Sequence, residues 1–255
     1  MNLFFKKIGE GKPLFILHGL FGLSDNWSTL SKEYADKGFS VFTIDLRNHG
    51  RSEHSDVFTY EAMANDLDEL MQAQSVSSIN LIGHSMGGKV GMQFALMFPE
   101  KLNKLIVVDI SLKYYPPHHE SVLAALHSVK LTEQLTRKEA ENTLRMSLKD
   151  EGTIQFLLKN LYWETDTKLN WRFGLKEIEN NIEQIGAALT GTQKIDVETL
   201  FLRGERSGYI NDEDIQLINA RFSKVEIITI PDSGHWVHAE NPKVFFEETV
   251  KFLAQ

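Results

Sequence analysis

Cysteine is absent from this sequence, which removes disulfide staples, thiolate zinc sites and a cysteine nucleophile together. Any chemistry must run through oxygen and nitrogen groups. No stretch approaches the roughly 20 consecutive apolar residues that a membrane-spanning helix requires, so no membrane span is expected. The opening Met1-Asn2-Leu3-Phe4-Phe5-Lys6-Lys7 meets charge before a signal-peptide core can build up, and a cytoplasmic location is the expectation. Positive charge is also short: 27 basic against 35 acidic residues give a net charge of −8. An acidic surface repels phosphate backbones instead of releasing their counterions, so nucleic acid is not an expected partner.

What remains is the composition of a packed protein. Of 255 residues, 42% are hydrophobic and 24% charged, which leaves no room for a disordered, collagen-like or coiled-coil chain. Short apolar runs bounded by turn signals recur at Pro13 to Leu17, Phe39 to Ile44, Ile79 to Ile82 and Leu105 to Ile110, as strands buried on both faces would. Helical spacing fills Asn26 to Lys37, Tyr60 to Gln74 and Gly88 to Phe98. The alternation predicts an α/β fold with a mostly parallel sheet flanked by helices.

From Lys113 to Lys194 the pattern turns helical, with no convincing strand run, and strands return at Thr199 to Leu202 and Val225 to Ile230 before a closing helix over Val244 to Leu253. The expected division is a core of residues 1–112 and 195–255 with a helical insertion at 113–194. The insertion carries 11 basic and 11 acidic residues, so the remaining 16 basic and 24 acidic residues hold the whole net charge. Ordinary surface variation is the expected meaning of such a split, and the alternative is that it lets an anionic substrate approach from the insertion side.

The most informative string is Ile79-Asn80-Leu81-Ile82-Gly83-His84-Ser85-Met86-Gly87-Gly88, a strand that runs through G-x-S-x-G into a helix. A serine at such a turn sits on strained backbone that only small neighbours permit, which accounts for Gly83 and Gly87. The helix that follows points its first N–H groups at the spot where an oxyanion would form in acyl transfer. A serine hydroxyl needs a base to take its proton, and the best-placed histidine is His235, in the loop after the last strand. His118 and His119 lack a third ligand at metal spacing, and no H-E-x-x-H occurs, so no metal site is expected. Near the N-terminus, His18-Gly19-Leu20-Phe21-Gly22 offers a backbone N–H for an oxyanion hole from Leu20, with Phe21 the alternative; Met86 would supply the second.

In order along the chain, His18-Gly19, Asp45-Leu46-Arg47-Asn48-His49-Gly50-Arg51-Ser52, Gly83-His84-Ser85-Met86-Gly87-Gly88 and Gly234-His235-Trp236 resemble the α/β-hydrolase superfamily. More narrowly, His18 to Gly22, Asp45-x-Arg47-Asn48-His49-Gly50, Ile154-Gln155-Phe156-Leu157-Leu158-Lys159 and Gly234 to Glu240 look like the YbfF-type bacterial esterases and their mitochondrial relatives. The resemblance implies hydrolysis of carboxylic esters or acyl-thioesters, small-molecule substrates, with no cofactor. It also implies that the insertion forms a lid shaping the substrate pocket. Tyr114, Tyr115, Phe156, Tyr162, Trp163, Trp171 and Phe173 give the insertion aromatic surface, suited to an acyl chain or to internal packing. Asp45 and Arg47 are expected to fix loop shape, and Asp232 to make a turn.

Many superfamily members place the acid of the triad after the strand matching Thr199 to Leu202, as an Asp three residues past a glycine. Counting from Gly204, that slot holds Ser207, which has no charge to steady an imidazolium. The resemblance implies the alternative seat one strand earlier, Asp109. Glu205, Asp212 and Asp214 are the other nearby carboxylates. The expected site is thus Ser85, Asp109 and His235 with the Leu20 and Met86 N–H groups. Serine esterase is the leading function, and a carbon–carbon hydrolase, lyase or perhydrolase on the same triad, or a ligand receptor on the same scaffold, are the rivals.

Overall fold

A computed structural model describes all 255 residues. Nine strands form, β1 (Phe5–Ile8), β2 (Lys12–Leu17), β3 (Phe39–Ile44), β4 (Ile79–His84), β5 (Leu102–Val108), β6 (Leu161–Trp163), β7 (Leu169–Trp171), β8 (Glu198–Gly204) and β9 (Val225–Ile230). The helices are α1 (Ser28–Ala35), α2 (Tyr60–Ala73), α3 (Met86–Met97), α4 (Glu120–Ser128), α5 (Arg137–Ser147), α6 (Glu151–Leu158), α7 (Leu175–Asn180), α8 (Ile182–Gly186), α9 (Asp212–Arg221), α10 (Val237–Glu240) and α11 (Pro242–Ala254). None is long and apolar enough to cross a membrane.

Seven strands make one sheet in the order β1-β3-β2-β4-β5-β8-β9, parallel throughout except for β1, which runs antiparallel to β3. Alternate residues of the parallel strands feed two apolar layers. Phe15, Leu17, Leu81, Leu105, Val107 and Phe201 point into the layer shared with α2 and α3, while Leu14, Ile16, Ile82, Ile106, Val108, Leu200 and Leu202 point into the layer shared with α1 and α11. A sheet covered on both sides needs apolar residues at every position, which is why these strands read as continuous runs.

Between β5 and β8 the chain forms α4 to α8 and an antiparallel pair, β6 with β7. That pair departs from the purely helical reading of residues 113–194. Each of its strands has only three residues, too few to display an alternation. The edge strand β1 was likewise not expected; its Phe5-Lys6-Lys7-Ile8 is mostly exposed and shows no buried face. Strand β5 stops at Val108, before the Ile110 suggested by the apolar run, because Asp109 turns to a φ of +52°.

Polar side chains at helix starts punctuate the fold. Thr59, Asp150 and Asn241 cap α2, α6 and α11, and Thr136 with Glu139 and Asn211 with Asp214 form reciprocal capping boxes on α5 and α9, satisfying N–H groups that have no partner within the helix.

Candidate active site

The strand order reverses between β2 and β4, with β3 outside one and β5 outside the other. Ligands of open α/β sheets bind outside the carboxyl ends of strands at such a point. Ser85 follows β4, Asp109 follows β5, Ser207 lies beyond β8 and His235 beyond β9. Four consecutive strands therefore deliver four polar side chains to one edge of the sheet.

Ser85 has φ +52° and ψ −117°, a strained conformation for a residue with a Cβ. Its N–H donates to the Val108 carbonyl at 2.9 Å, and its own carbonyl accepts from Gly88 at 2.8 Å and Lys89 at 3.2 Å. These bonds hold the turn. Glycine is required on both sides for space: a Cβ on Gly83 would lie 2.2 Å from the Gly87 carbonyl, and one on Gly87 would lie 2.7 Å from the carbonyls of Leu17 and His18.

Asp109 is fully buried, and its Oδ2 lies 2.8 Å from Nδ1 of His235. Oδ1 accepts from the Gly204 N–H at 3.0 Å. The hydroxyl of Ser207 also donates to Oδ2, and itself accepts from the Tyr209 N–H at 3.2 Å. Thus the serine in the common seat of the acid is hydrogen-bonded to the carboxylate one strand away. The competing carboxylates are engaged elsewhere: Asp212 lies near Arg203 at 3.4 Å, Asp214 pairs with Lys113 at 2.7 Å, and Glu205 accepts from the Asp232 N–H at 3.0 Å.

The His235 ring is bracketed by two others. Tyr209 stacks on it with centroids 3.9 Å apart, and His84 packs at 4.8 Å. His84 Nε2 lies 2.9 Å from the His235 carbonyl; a carbonyl only accepts, so His84 donates from Nε2. Burial holds His84 well below the usual histidine range, and the charges of His238 and His235 add to the effect. The Tyr209 hydroxyl donates to Nε2 of His118 at 2.8 Å, whose Nδ1–H donates to the Pro116 carbonyl at 3.0 Å. Nothing in sequence spacing singled out Tyr209 or His118, because their relation to His235 exists only across the fold.

The loop after β3 is built by buried polar pairs. His49 donates from Nδ1 to the Arg47 carbonyl at 3.0 Å and accepts the Phe21 N–H on Nε2 at 3.1 Å. His18 accepts the Leu46 N–H at 3.0 Å. Burial lowers His18 to about 4 and His49 to about 3, so both stay neutral. Asp45 accepts from the N–H groups of Ser24 at 2.6 Å and Arg51 at 2.9 Å, and Arg47 grips Asp66 with two bonds of 2.6 and 2.7 Å. Because the Phe21 N–H goes to His49, of the two candidates in this turn Leu20 has the free donor; neither the Leu20 nor the Met86 N–H has a protein acceptor.

Two cavities meet at Ser85. A smaller one of about 40 Å³ is walled by Tyr60, Met86, Ile110, Tyr115, Ile182 and Ile185. A larger one of about 420 Å³ contains His235, Trp27, Phe156, Trp236 and the Gly19 to Gly22 turn. Leu20, His118, His119 and Tyr209 line both. Of the insertion aromatics, Tyr115 and Phe156 face these cavities, whereas Trp171 and Phe173 are buried and stack on each other at 5.4 Å.

A strained serine at a strand-to-helix turn, on a parallel sheet interrupted by a helical segment, defines a class. The chain belongs to the α/β-hydrolase fold family, whose model matches residues 12–242. Within that family it is of the YbfF type: it is 33% identical to the esterase YbfF of Escherichia coli, over 96% of this chain and 94% of that protein. It is 38% identical to the sn-1-specific diacylglycerol lipase ABHD11 of Danio rerio, over 96% of this chain and 79% of that protein. A solved marine microorganism esterase superimposes with a TM-score of 0.95 at 45% identity, covering 98% of each chain.

Proposed function

We propose that this chain is a serine esterase that cleaves carboxylic esters or acyl-thioesters through an acyl-enzyme. The observation that carries the reading is the buried Asp109 bonded to His235 Nδ1, with His235 and the strained Ser85 facing the same cavity. Asp109 holds the Nδ1 proton of His235, which leaves Nε2 free to take the proton of Ser85. The alkoxide attacks the substrate carbonyl, and the N–H groups of Leu20 and Met86 hold the oxyanion. The imidazolium then protonates the leaving group, water enters, and the same imidazole acts as base for deacylation.

The two cavities suit the two arms of an ester. The group that protonates the leaving atom must stand beside it, and His235 lines only the larger cavity. The alcohol or thiol therefore belongs in the larger cavity and the acyl chain in the smaller one. A volume of about 40 Å³ holds on the order of three water-sized groups, which favours short acyl chains. The larger cavity has no carboxylate in its lining and one cation, Lys159, in keeping with an anionic leaving group. The segment of residues 113–194 acts as the lid over both.

The test pairs fluorophosphonate labelling with p-nitrophenyl ester hydrolysis. Wild type should be labelled at Ser85 and release p-nitrophenol with an initial burst, and Ser85→Ala should do neither. Binding of esters without turnover or labelling by wild type would replace the esterase reading with the receptor one.

A further inference from the structure

Lys89 stands on α3 one turn beyond Ser85, yet its side chain is 1% exposed. Removing an ammonium from water costs several kcal/mol unless its hydrogens are taken up. No carboxylate compensates this one; burial and the like charge of Lys113 both push it down, to about 7. Its hydrogens go to three backbone carbonyls, those of Lys113 at 2.6 Å, Gly186 at 3.4 Å and Ala187. The rings of Tyr115 and Tyr60 lie 5.0 and 5.8 Å from Nζ, within the range of cation–π attraction.

Those carbonyls belong to two chain segments. Lys113 lies where the chain leaves the sheet after β5, and Gly186 and Ala187 lie where it returns toward β8. The segments are tied to each other by Tyr115 N–H to the Gly186 carbonyl at 2.8 Å and Leu189 N–H to the Leu112 carbonyl at 2.9 Å. Together they form a neck. Gly186 is tightly seated there, since a Cβ would meet the Tyr115 carbonyl at 2.1 Å. Tyr115, Ile185 and Gly186 also wall the smaller cavity beside Ser85.

We propose that Lys89 is a positioning residue that clasps both ends of the 113–194 segment to the helix that starts at Ser85, and so fixes the wall of the smaller cavity. An ammonium presents three donors from one centre, which three carbonyls require. Methionine of similar length donates none, and glutamine has two donors on a shorter stem. Without the ammonium the neck loses its hydrogen bonds to α3 and keeps its two internal bonds together with the Lys113–Asp214 pair and the bond from the Tyr60 hydroxyl to the Ile185 carbonyl. The effect on substrate binding rests on the esterase reading, but the effect on the neck does not.

The experiment compares wild type, Lys89→Met and Lys89→Gln by amide hydrogen exchange and by p-nitrophenyl acetate kinetics. In Lys89→Met the Tyr115 and Leu189 amides should exchange at least about tenfold faster, while β4 and β5 keep wild-type protection. KM should rise about tenfold with kcat falling less than about threefold, and Lys89→Gln should lie between. Unchanged neck exchange in Lys89→Met, or protection lost equally from the sheet and the neck, overturns the proposal. Where Lys89→Met does not fold, Lys89→Gln is judged by the same two outcomes. Faster neck exchange with no hydrolysis by wild type would sink the esterase reading while leaving the clasp standing.

Discussion

Replacing Asp109 with asparagine exchanges one acceptor oxygen for an NH2 donor in a site where three hydrogens converge. Oδ2 now receives His235 Nδ1–H and the Ser207 hydroxyl, and Oδ1 receives the Gly204 N–H. With the amide oxygen kept on Gly204, the NH2 faces His235, whose Nδ1 must then accept. The ring proton moves to Nε2, where it blocks uptake of the Ser85 proton. With the amide reversed, its NH2 opposes the Gly204 N–H in a fully buried place, an arrangement that costs about 1–3 kcal/mol. The first arrangement is the cheaper, and the wrong tautomer lowers kcat about 10⁴-fold, or roughly 5.5 kcal/mol of barrier. The assay is p-nitrophenyl acetate hydrolysis, with near-ultraviolet circular dichroism to show that packing survives. Asp212→Asn is the control, because that side chain is 93% exposed, and it should stay within about twofold of wild type. Since Ser207 touches the same Oδ2, Asp109→Asn/Ser207→Asp should bring a carboxylate back within reach of His235 and recover about 10²-fold. Asp109→Asn retaining more than a tenth of wild-type kcat, or Asp212→Asn falling as far, would refute the assignment of the acid.

Two further outcomes concern stability. His18 is buried and lowered to about 4, so below pH 6.5 the unfolded chain takes a proton that the folded chain refuses. Stability is then complete above pH 6.5 and falls as the pH drops to about 4, by roughly 3 kcal/mol from this histidine at about 1.4 kcal/mol per unit; urea midpoints that stay level from pH 7 to pH 4 would contradict it. Asp66→Asn removes the countercharge of the buried Arg47 and one of its two acceptor oxygens, and turns an NH2 toward the guanidinium; it should lower unfolding free energy by about 3–5 kcal/mol in urea titrations, whereas a change under 1 kcal/mol would show that water or the Val57 and Ala62 carbonyls compensate.

Much of the site was legible locally because its demands are local. A strand, G-x-S-x-G and a helix mark a sharp turn at Ser85, since the missing Cβ atoms of Gly83 and Gly87 are what let that turn close. The parallel sheet was equally legible, because burial on both faces writes itself as unbroken apolar runs. The pair β6 and β7 was not, since three-residue strands owe their existence to each other more than to any pattern of their own.

By itself the sequence determined the strand-and-helix alternation, the serine turn and the histidine beyond the last strand, all of which follow from residue type and spacing. Only the tertiary structure decided that Asp109 lies within a hydrogen bond of His235, that Ser207 donates to the same oxygen, that His49 occupies the Phe21 N–H, and that Lys89 joins the two ends of the insertion. The physical reason is that hydrogen bonds act over about 3 Å in space. Residues 126 positions apart meet only once the sheet has set its strand order.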